Sequence, residues 1–129
     1  MDFDLSPDHE LIRRTVREFA EGEIAPVAEE LDREKRFPYE IVAKLGELGL
    51  MGIPFPEEVG GAGGDSLAYS IAVEELARVD SSVAITMCAH TSLGTQPIFL
   101  FGEVTHGPPD QLVVRGKIEV HDGAVLLNN

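Results

Sequence analysis

Two adjacent carboxylates within an apolar helical pattern invite an interpretation as general bases. Glu74 and Glu75 lie within a helical pattern, and carboxylates often act as general acids or bases in enzymes. Consecutive residues on an α-helix point about 100° apart, so these two groups do not form a catalytic carboxylate pair. We therefore predict a surface or capping role for both glutamates.

The sulfur and imidazole groups are isolated from one another. Cys88 is the only cysteine, so no internal disulfide can form, and its apolar helical surroundings indicate a small buried side chain rather than a nucleophile. His90 lies beside two hydroxyl residues and is interpreted as a hydrogen-bonded structural residue. His106 and His121 lack further ligands at the spacing of a metal site. We predict no catalytic residue and no metal site.

A glycine-rich segment, Gly49 to Ser66, is a candidate phosphate-binding loop. However, no Lys-Ser or Lys-Thr follows its glycines, and a helix end with Pro54-Phe55-Pro56 stands where a dinucleotide-binding turn would need a strand. The two prolines lack backbone donors, which excludes a helix or a central strand. We predict a tightly folded structural connector between two helical groups.

The first helical group begins at Ser6, which can cap a helix that has Pro7 at its first position. Its apolar residues recur at helical spacing and are expected in the core: Ile12, Val16 and Phe19. The charged residues of the same helix are expected in water: Arg13, Arg14, Arg17, Glu18 and Glu21. Pro26 begins a second helical piece with Val27 and Leu31.

A mixed-charge run, Asp32 to Arg36, is interpreted as a solvated connector before the next helix. That helix starts at Phe37-Pro38 and ends at Gly49. Its apolar stripe consists of Ile41, Leu45 and Leu48.

The second helical group begins after the connector, where Asp65 or Ser66 caps a helix. This helix carries a wide apolar surface that includes Leu67, Ile71, Val73, Leu76 and Val79. Asp80-Ser81-Ser82 caps the next helix, from Val83 to about His90. Gly94 interrupts the pattern, which restarts at Gln96-Pro97 and stops at Gly102.

Composition excludes several classes of partner. The formal net charge of the 129-residue chain is −13, with only 10 basic residues, which argues against binding to nucleic acid or anionic membranes. No apolar run approaches the roughly 18 residues that span a bilayer. The N-terminus is acidic where a signal peptide would be basic. We expect a cytoplasmic protein without membrane insertion.

The C-terminal segment has a different pattern. Two apolar stretches flank Asp122-Gly123, which suits a two-residue hairpin turn. That register puts Ile118 and Val120 on the same face as Val125 and Leu127. The sequence therefore predicts a β-hairpin within residues 103–129.

The order of several motifs resembles the N-terminal helical domain of the acyl-CoA dehydrogenase family over about residues 3–102. These motifs are Leu45 to Leu50, Ile53 to Gly61, Gly63 to Asp65, Glu74 to Asp80 and Ser92 to Gly94. The resemblance implies a mainly α helical-bundle domain at 1–102, followed by a divergent tail at 103–129. That tail lacks the family's Thr-Glu-Pro and Gly-Ser-Asp signature, so it is either a remnant of the β-domain or an unrelated ending.

The same resemblance implies FAD-dependent α,β-dehydrogenation of acyl-CoA thioesters. The family's catalytic base and most of its FAD contacts belong to domains that follow this one, so we assign no catalytic residue and expect no turnover by this chain alone. Ile85, Thr86, Ala89 and Leu93 fall on positions that line the deep end of the family's acyl-chain pocket. Interior packing is the alternative role for these four residues. The few basic residues argue against a strong site for the CoA nucleotide.

Two other functions are also compatible with the sequence. One is a non-catalytic helical interaction module, which would pack an apolar patch around Ile85, Ala89, Leu93 and Phe101 against a second copy or a partner dehydrogenase subunit. The other is a truncated gene product without a function of its own.

Overall fold

The computed structural model describes residues 4–101 and the backbone of 103–106, 112–115, 117–121 and 124–128. The chain divides into two compact units, residues 1–88 and 89–129, and each is described by itself. The helices of the first unit are α1 (Pro7–Phe19), α2 (Ala25–Glu34), α3 (Tyr39–Glu47), α4 (Ser66–Ala77) and α5 (Ser81–Cys88). Short 3₁₀ turns at Leu50–Gly52 and Glu57–Val59 interrupt the connector.

Helix α1 begins as the sequence predicts. The Ser6 side chain accepts a hydrogen bond from the backbone N–H of His9, and Pro7 occupies the first turn. Val16 is fully buried, and Ile12 and Phe19 pack against the same core. The stripe that the sequence predicts for the first helix is therefore confirmed.

A π-helical turn, Ala20–Ile24, separates α1 from α2 and is called the π-turn here. The backbone N–H of Ala25 bonds the carbonyl of Ala20, five residues earlier. Pro26 lies in the first turn of α2, where its missing N–H breaks no helical hydrogen bond. The proline thus begins a second helical piece as predicted, and the wider turn before it keeps the backbone helical.

Helix α3 begins after Pro38 and ends at a glycine, both as predicted. Gly49 has φ +74°, a left-handed conformation that a residue with a Cβ rarely adopts. Ile41 and Leu45 are buried, but Leu48 is half exposed, so the predicted stripe is wrong at its last position. Leu48 is the residue that follows the helix, where its backbone no longer keeps the helical phase of the stripe.

Helix α4 is the centre of the first unit, because it contacts both α1 and α5. Asp65 caps it by accepting a hydrogen bond from the N–H of Ala68 at 2.8 Å, as predicted. Its buried face is wide and comprises Ala68, Ile71, Ala72, Glu75 and Leu76, whereas Leu67 is half exposed. Small alanines on this face let two neighbouring helices approach closely, which explains the wide apolar surface.

The core of the first unit draws on α1, the π-turn, α3, the connector, α4 and α5. Its buried members are Val16, Ala20, Ile24, Ile41, Leu45, Leu50, Ile53, Ala68, Ala72, Leu76, Val83, Ala84 and Met87. The predicted solvated run is confirmed, because residues 32–36 are all exposed.

The second unit begins with a π-helical segment, Ala89–Thr95, here called the π-segment, followed by α6 (Gln96–Phe101). Four strands follow: β1 (Glu103–His106), β2 (Leu112–Arg115), β3 (Lys117–His121) and β4 (Ala124–Asn128). Strands β1 and β2 pair antiparallel, and so do β3 and β4. Helix α6 begins at Gln96, as the sequence predicts. The predicted interruption at Gly94 is wrong, because Gly94 lies within the π-segment, which was not predicted.

The predicted hairpin falls partly outside the described residues. Ile118 stands opposite Leu127 and Val120 opposite Val125 in the backbone pairing. Residues 122 and 123, where the sequence predicts the turn, are not among the described residues. The hairpin, its apolar face and a domain boundary at residue 102 therefore stay predictions.

Candidate functional site

The backbone N–H groups of the glycine-rich connector donate hydrogen bonds to carbonyls within the connector itself. The N–H groups of Gly60, Gly61, Gly63 and Gly64 each donate to a carbonyl of residues 53–57, at 2.7 to 3.0 Å. A phosphate cradle needs free N–H groups that converge on one point. The connector is therefore a structural turn, as the sequence predicts, and it offers no site for a diphosphate.

One glycine of the connector is required by a close approach of two backbone segments. A Cβ at Gly61 would lie 2.1 Å from the carbonyl oxygen of Phe55 and 2.6 Å from its Cβ. The Phe55 side chain is itself buried. The glycine cluster thus allows tight backbone packing, which supplies a reason for its composition without any ligand.

Helix α5 carries two of the four residues that the resemblance implies for acyl binding. It is capped by Asp80, whose carboxylate accepts hydrogen bonds from the backbone N–H groups of Ser82 and Val83, as predicted. Ile85 is 66% exposed. The hydroxyl of Thr86 donates to the Ser82 carbonyl at 2.8 Å, which leaves its methyl group as the apolar end. Ile85 therefore does not serve as interior packing in this structure.

The π-segment of the second unit carries the other two residues. Ala89 is exposed, and Leu93 is 77% exposed. The Thr95 hydroxyl donates to the His90 carbonyl at 2.9 Å, five residues back, and so fills a backbone acceptor of the wide π turn.

The most organised polar cluster of the described residues was missed by the sequence reasoning. Glu75 is only 2% exposed, so the predicted surface or capping role is wrong for it. Arg17 binds its carboxylate with two hydrogen bonds, from Nε to Oε2 at 2.9 Å and from Nη2 to Oε1 at 2.8 Å. Arg78 donates from Nη1 to Oε2 at 2.7 Å. Glu74 is exposed, as predicted.

A third arginine completes the cluster, which is called the Glu75 cluster here. The Nε atom of Arg13 lies 3.7 Å from Oε1 of Glu75, a distance of ion pairing but not of hydrogen bonding. Arg17 is exposed, as predicted, whereas Arg13 is only partly exposed, so the prediction is wrong for Arg13. Both guanidinium groups face a buried carboxylate, which was not predicted.

The arginines hold Glu75 in its ionised form. The hydrogen bond from Arg17 lowers the pKa of Glu75 below its ordinary value; burial opposes this, and the hydrogen bond from Arg78 lowers it further. The same contact with Glu75 raises the pKa of Arg17. A carboxylate kept ionised by three cations is a poor general base, so this cluster stabilises structure rather than acting on protons.

One signal in the sequence could have revealed the burial of Glu75. It follows Ala68 by seven residues and Ile71 by four, so it lies on the buried side of α4. The arginine partner at position 17 is 58 residues away and could not be identified from local spacing.

Metal and membrane sites find no support in the described part of the chain. Within residues 4–101, no group of three or more His, Cys, Asp or Glu side chains could hold a metal ion. Cys88 is a free, partly buried thiol. No described helix is both long and apolar enough to cross a bilayer.

The arrangement of helices, with a central α4 and a self-bonded connector, defines a helical domain found at the N-terminus of a class of larger enzymes. The model of the acyl-CoA dehydrogenase N-terminal domain matches residues 6–105. The chain therefore belongs to the acyl-CoA dehydrogenase family, through its N-terminal domain.

Curated relatives agree with this assignment. A short-chain-specific acyl-CoA dehydrogenase of Clostridium acetobutylicum is 56% identical over 93 residues, which cover 72% of this chain and 24% of that protein. The mitochondrial short-chain-specific enzyme of Mus musculus is 48% identical over 99 residues, which cover 77% and 24%. The chain thus spans about a quarter of the length of the relatives it matches.

Solved structures give the same result. Butyryl-CoA dehydrogenase from Megasphaera elsdenii superposes with a TM-score of 0.73 at 39% identity, covering 78% of this chain and 27% of that chain. A glutaryl-CoA dehydrogenase in complex with glutaryl-CoA gives a TM-score of 0.76 at 37% identity, with 80% and 27% covered. The mainly helical fold that the sequence predicts is confirmed by these likenesses.

Proposed function

We propose that this chain supplies the N-terminal helical domain of an FAD-dependent acyl-CoA dehydrogenase, which removes hydrogens from the α and β carbons of an acyl-CoA thioester. The observation that carries the proposal is the 56% identity over 93 residues to a short-chain-specific enzyme. Two solved relatives named for butyryl-CoA and glutaryl-CoA support a short acyl-CoA as substrate.

The proposed role of this domain in the reaction is to bind the acyl chain. Ile85, Thr86, Ala89 and Leu93 contribute the apolar groups that contact the end of the chain. Support comes from the exposure of Ile85 and Leu93. Contact with an apolar ligand removes a large aliphatic side chain from water, and this lowers the free energy. The small side chain of Ala89 would leave room for a longer or bulkier acyl chain.

The cofactor and the proton-abstracting base are proposed to be bound by parts of the enzyme other than the described residues. The connector does not fit the diphosphate of FAD, since its glycine N–H groups are already bonded. Glu75 does not fit a base, since arginines surround it. FAD would take up the hydride, and this domain would orient the acyl chain and exclude water from its end.

A chimeric enzyme tests the proposal directly. Residues 1–102 of this chain replace the matching segment of the Megasphaera elsdenii butyryl-CoA dehydrogenase, and flavin content and butyryl-CoA oxidation are measured. We expect a yellow, active enzyme. A chimera that folds and holds flavin but never oxidises butyryl-CoA would contradict the proposal.

The acyl-binding role is tested by a charge placed in the chimera. Leu93→Asp should lower kcat/KM for butyryl-CoA about tenfold or more, because an unpaired carboxylate beside an apolar chain is costly to desolvate. Leu48→Asp is the matched control, since Leu48 is also an exposed leucine but lies after α3. Equal kcat/KM values for the two variants would remove Leu93 from the site.

A second candidate is a non-catalytic helical module that associates with another copy or with a dehydrogenase subunit. It is favoured by the large apolar side chains exposed in the second unit, Leu93 and Leu100. The mass of the purified chain in solution tests this candidate. A dimer supports the module, whereas a monomer contradicts it.

A further inference from the structure

The Glu75 cluster gathers three of the chain's ten basic side chains around one carboxylate. Guanidinium groups do not lose their protons at ordinary pH, so all three remain charged. Glu75 compensates one of these charges. The exposed carboxylates of Glu10, 3.7 Å from Nη1 of Arg13, and of Glu21, which acts on Arg17 through its charge, compensate the other two only weakly. Among the described residues, Glu75 is therefore the one buried counter-charge of the three arginines.

Several N–H groups of the cluster arginines are not used in the hydrogen bonds to Glu75. A guanidinium carries five N–H bonds. In the Glu75 cluster, Arg17 uses Nε and Nη2, whereas Arg78 uses one Nη1. The Nε atom of Arg13 is buried and, within the described part of the chain, has no hydrogen-bond partner. All three side chains are a third to a half exposed, so a small ligand can reach their outer edges.

We propose that the Glu75 cluster is a binding site for a tetrahedral oxyanion of the phosphate class. Glu75 fixes the guanidinium planes of Arg17 and Arg78, which lowers the entropic cost of ordering long side chains around a ligand. The oxyanion accepts charge-assisted hydrogen bonds from the unused N–H groups and relieves the repulsion between the arginines. Free phosphate and the phosphate of a larger molecule share this chemistry.

The site differs from the one proposed for the acyl chain and shares no residue with it. Its affinity is limited by the nearby Glu10 and Glu21 carboxylates and by the net charge of −13, which repels anions at long range. We therefore expect a dissociation constant for inorganic phosphate in the millimolar range at low ionic strength, and weaker binding as salt is raised.

The test uses the full chain labelled with ¹⁵N. Inorganic phosphate is titrated at constant ionic strength against chloride, and the arginine Nε–Hε resonances are followed by NMR. We expect saturable shifts of the three cluster arginines. A second titration with 3′,5′-adenosine diphosphate distinguishes a free ion from a nucleotide phosphate, since a site that extends past the phosphate would bind the nucleotide more tightly.

Two matched variants decide the outcome. Arg13→Gln removes a cluster arginine that makes no short bond to Glu75 and should raise the phosphate dissociation constant about tenfold, the worth of one charge-assisted hydrogen bond. Arg14→Gln removes the same charge from the exposed neighbouring position and should leave it within about twofold. If Arg13→Gln does not fold, Arg13→Lys replaces it. Unsaturable shifts, or equal effects of the two variants, would overturn the proposal as a general ion effect.

Discussion

Nε2 of His9 lies 3.0 Å from Oδ1 of Asp65, and this contact joins the first turn of α1 to the residue that caps α4. A carboxylate can only accept, so Nε2 carries a proton. Nδ1 of the same ring lies 2.8 Å from Oγ of Ser6, which caps α1. His9 and Asp65 are 56 residues apart in sequence, so one imidazole links the caps of two helices that are distant along the chain.

Asp65→Ala should destabilise the domain more than the loss of a cap alone, because it also removes the partner of His9. We expect a fall in the midpoint of thermal unfolding of several degrees, measured by circular dichroism. His9→Ala, which keeps the cap, should cause a smaller fall. If the two variants unfold at the same temperature, the link between the caps contributes all of the effect and the cap none.

Glu75→Gln should be the most damaging conservative change on α4. It leaves three partly exposed guanidinium groups without their buried counter-charge, which costs about 1–3 kcal/mol. The free energy of unfolding in urea measures the loss. Glu74→Gln is the matched control on the next, exposed position and should change this energy by less than about 0.5 kcal/mol.

The contribution of Glu75 should depend on pH in a defined direction. Its pKa is lower in the folded than in the unfolded chain, chiefly through the hydrogen bond from Arg17, so the unfolded state takes up protons first as pH falls. The stabilisation is therefore fully present above the ordinary value of 4.5 and is lost as pH falls through the folded pKa. The stability gap between the unsubstituted chain and Glu75→Gln should narrow below pH 4.5. A constant gap from pH 7 downwards would contradict this assignment.

Gly61→Ala should disrupt the connector. The added Cβ would meet the Phe55 carbonyl at 2.1 Å, and the obstructing atom is backbone rather than a flexible side chain. We expect a loss of about 2 kcal/mol or more in the free energy of unfolding. Gly46→Ala is the control, because a Cβ there meets nothing within 4 Å and alanine favours the helix by about 0.5–1 kcal/mol. Similar losses for both would show that the close approach is unimportant.

Features that depend on near neighbours could be predicted from the sequence. Ser6, Asp65 and Asp80 cap helices because a short polar side chain reaches N–H groups two or three residues ahead. Gly49 ends α3 because it can adopt positive φ. Both mechanisms act within a few residues. One boundary of each of four helices can therefore be predicted from the sequence alone.

Features that depend on distant partners could not be predicted in this way. The burial of Glu75 requires Arg17, which only the packing of α1 on α4 brings near. The π-segment also could not be predicted from local sequence patterns. These patterns predict an ordinary helix to about His90 and a break at Gly94. For the four residues proposed to bind the acyl chain, the family resemblance supplies the positions, and the structure adds that Ile85 and Leu93 are exposed.

The π-turn at Ala20–Ile24 bears on how chains of this family can change in length. Its hydrogen bond spans five residues, one more than in an α-helix, so the turn accommodates an additional amino acid without interrupting the helical backbone. Deleting that amino acid would rewind α2 by about 100° and carry Leu31 away from its buried position. Insertions and deletions at this point should therefore be rare unless the apolar residues of α2 change with them.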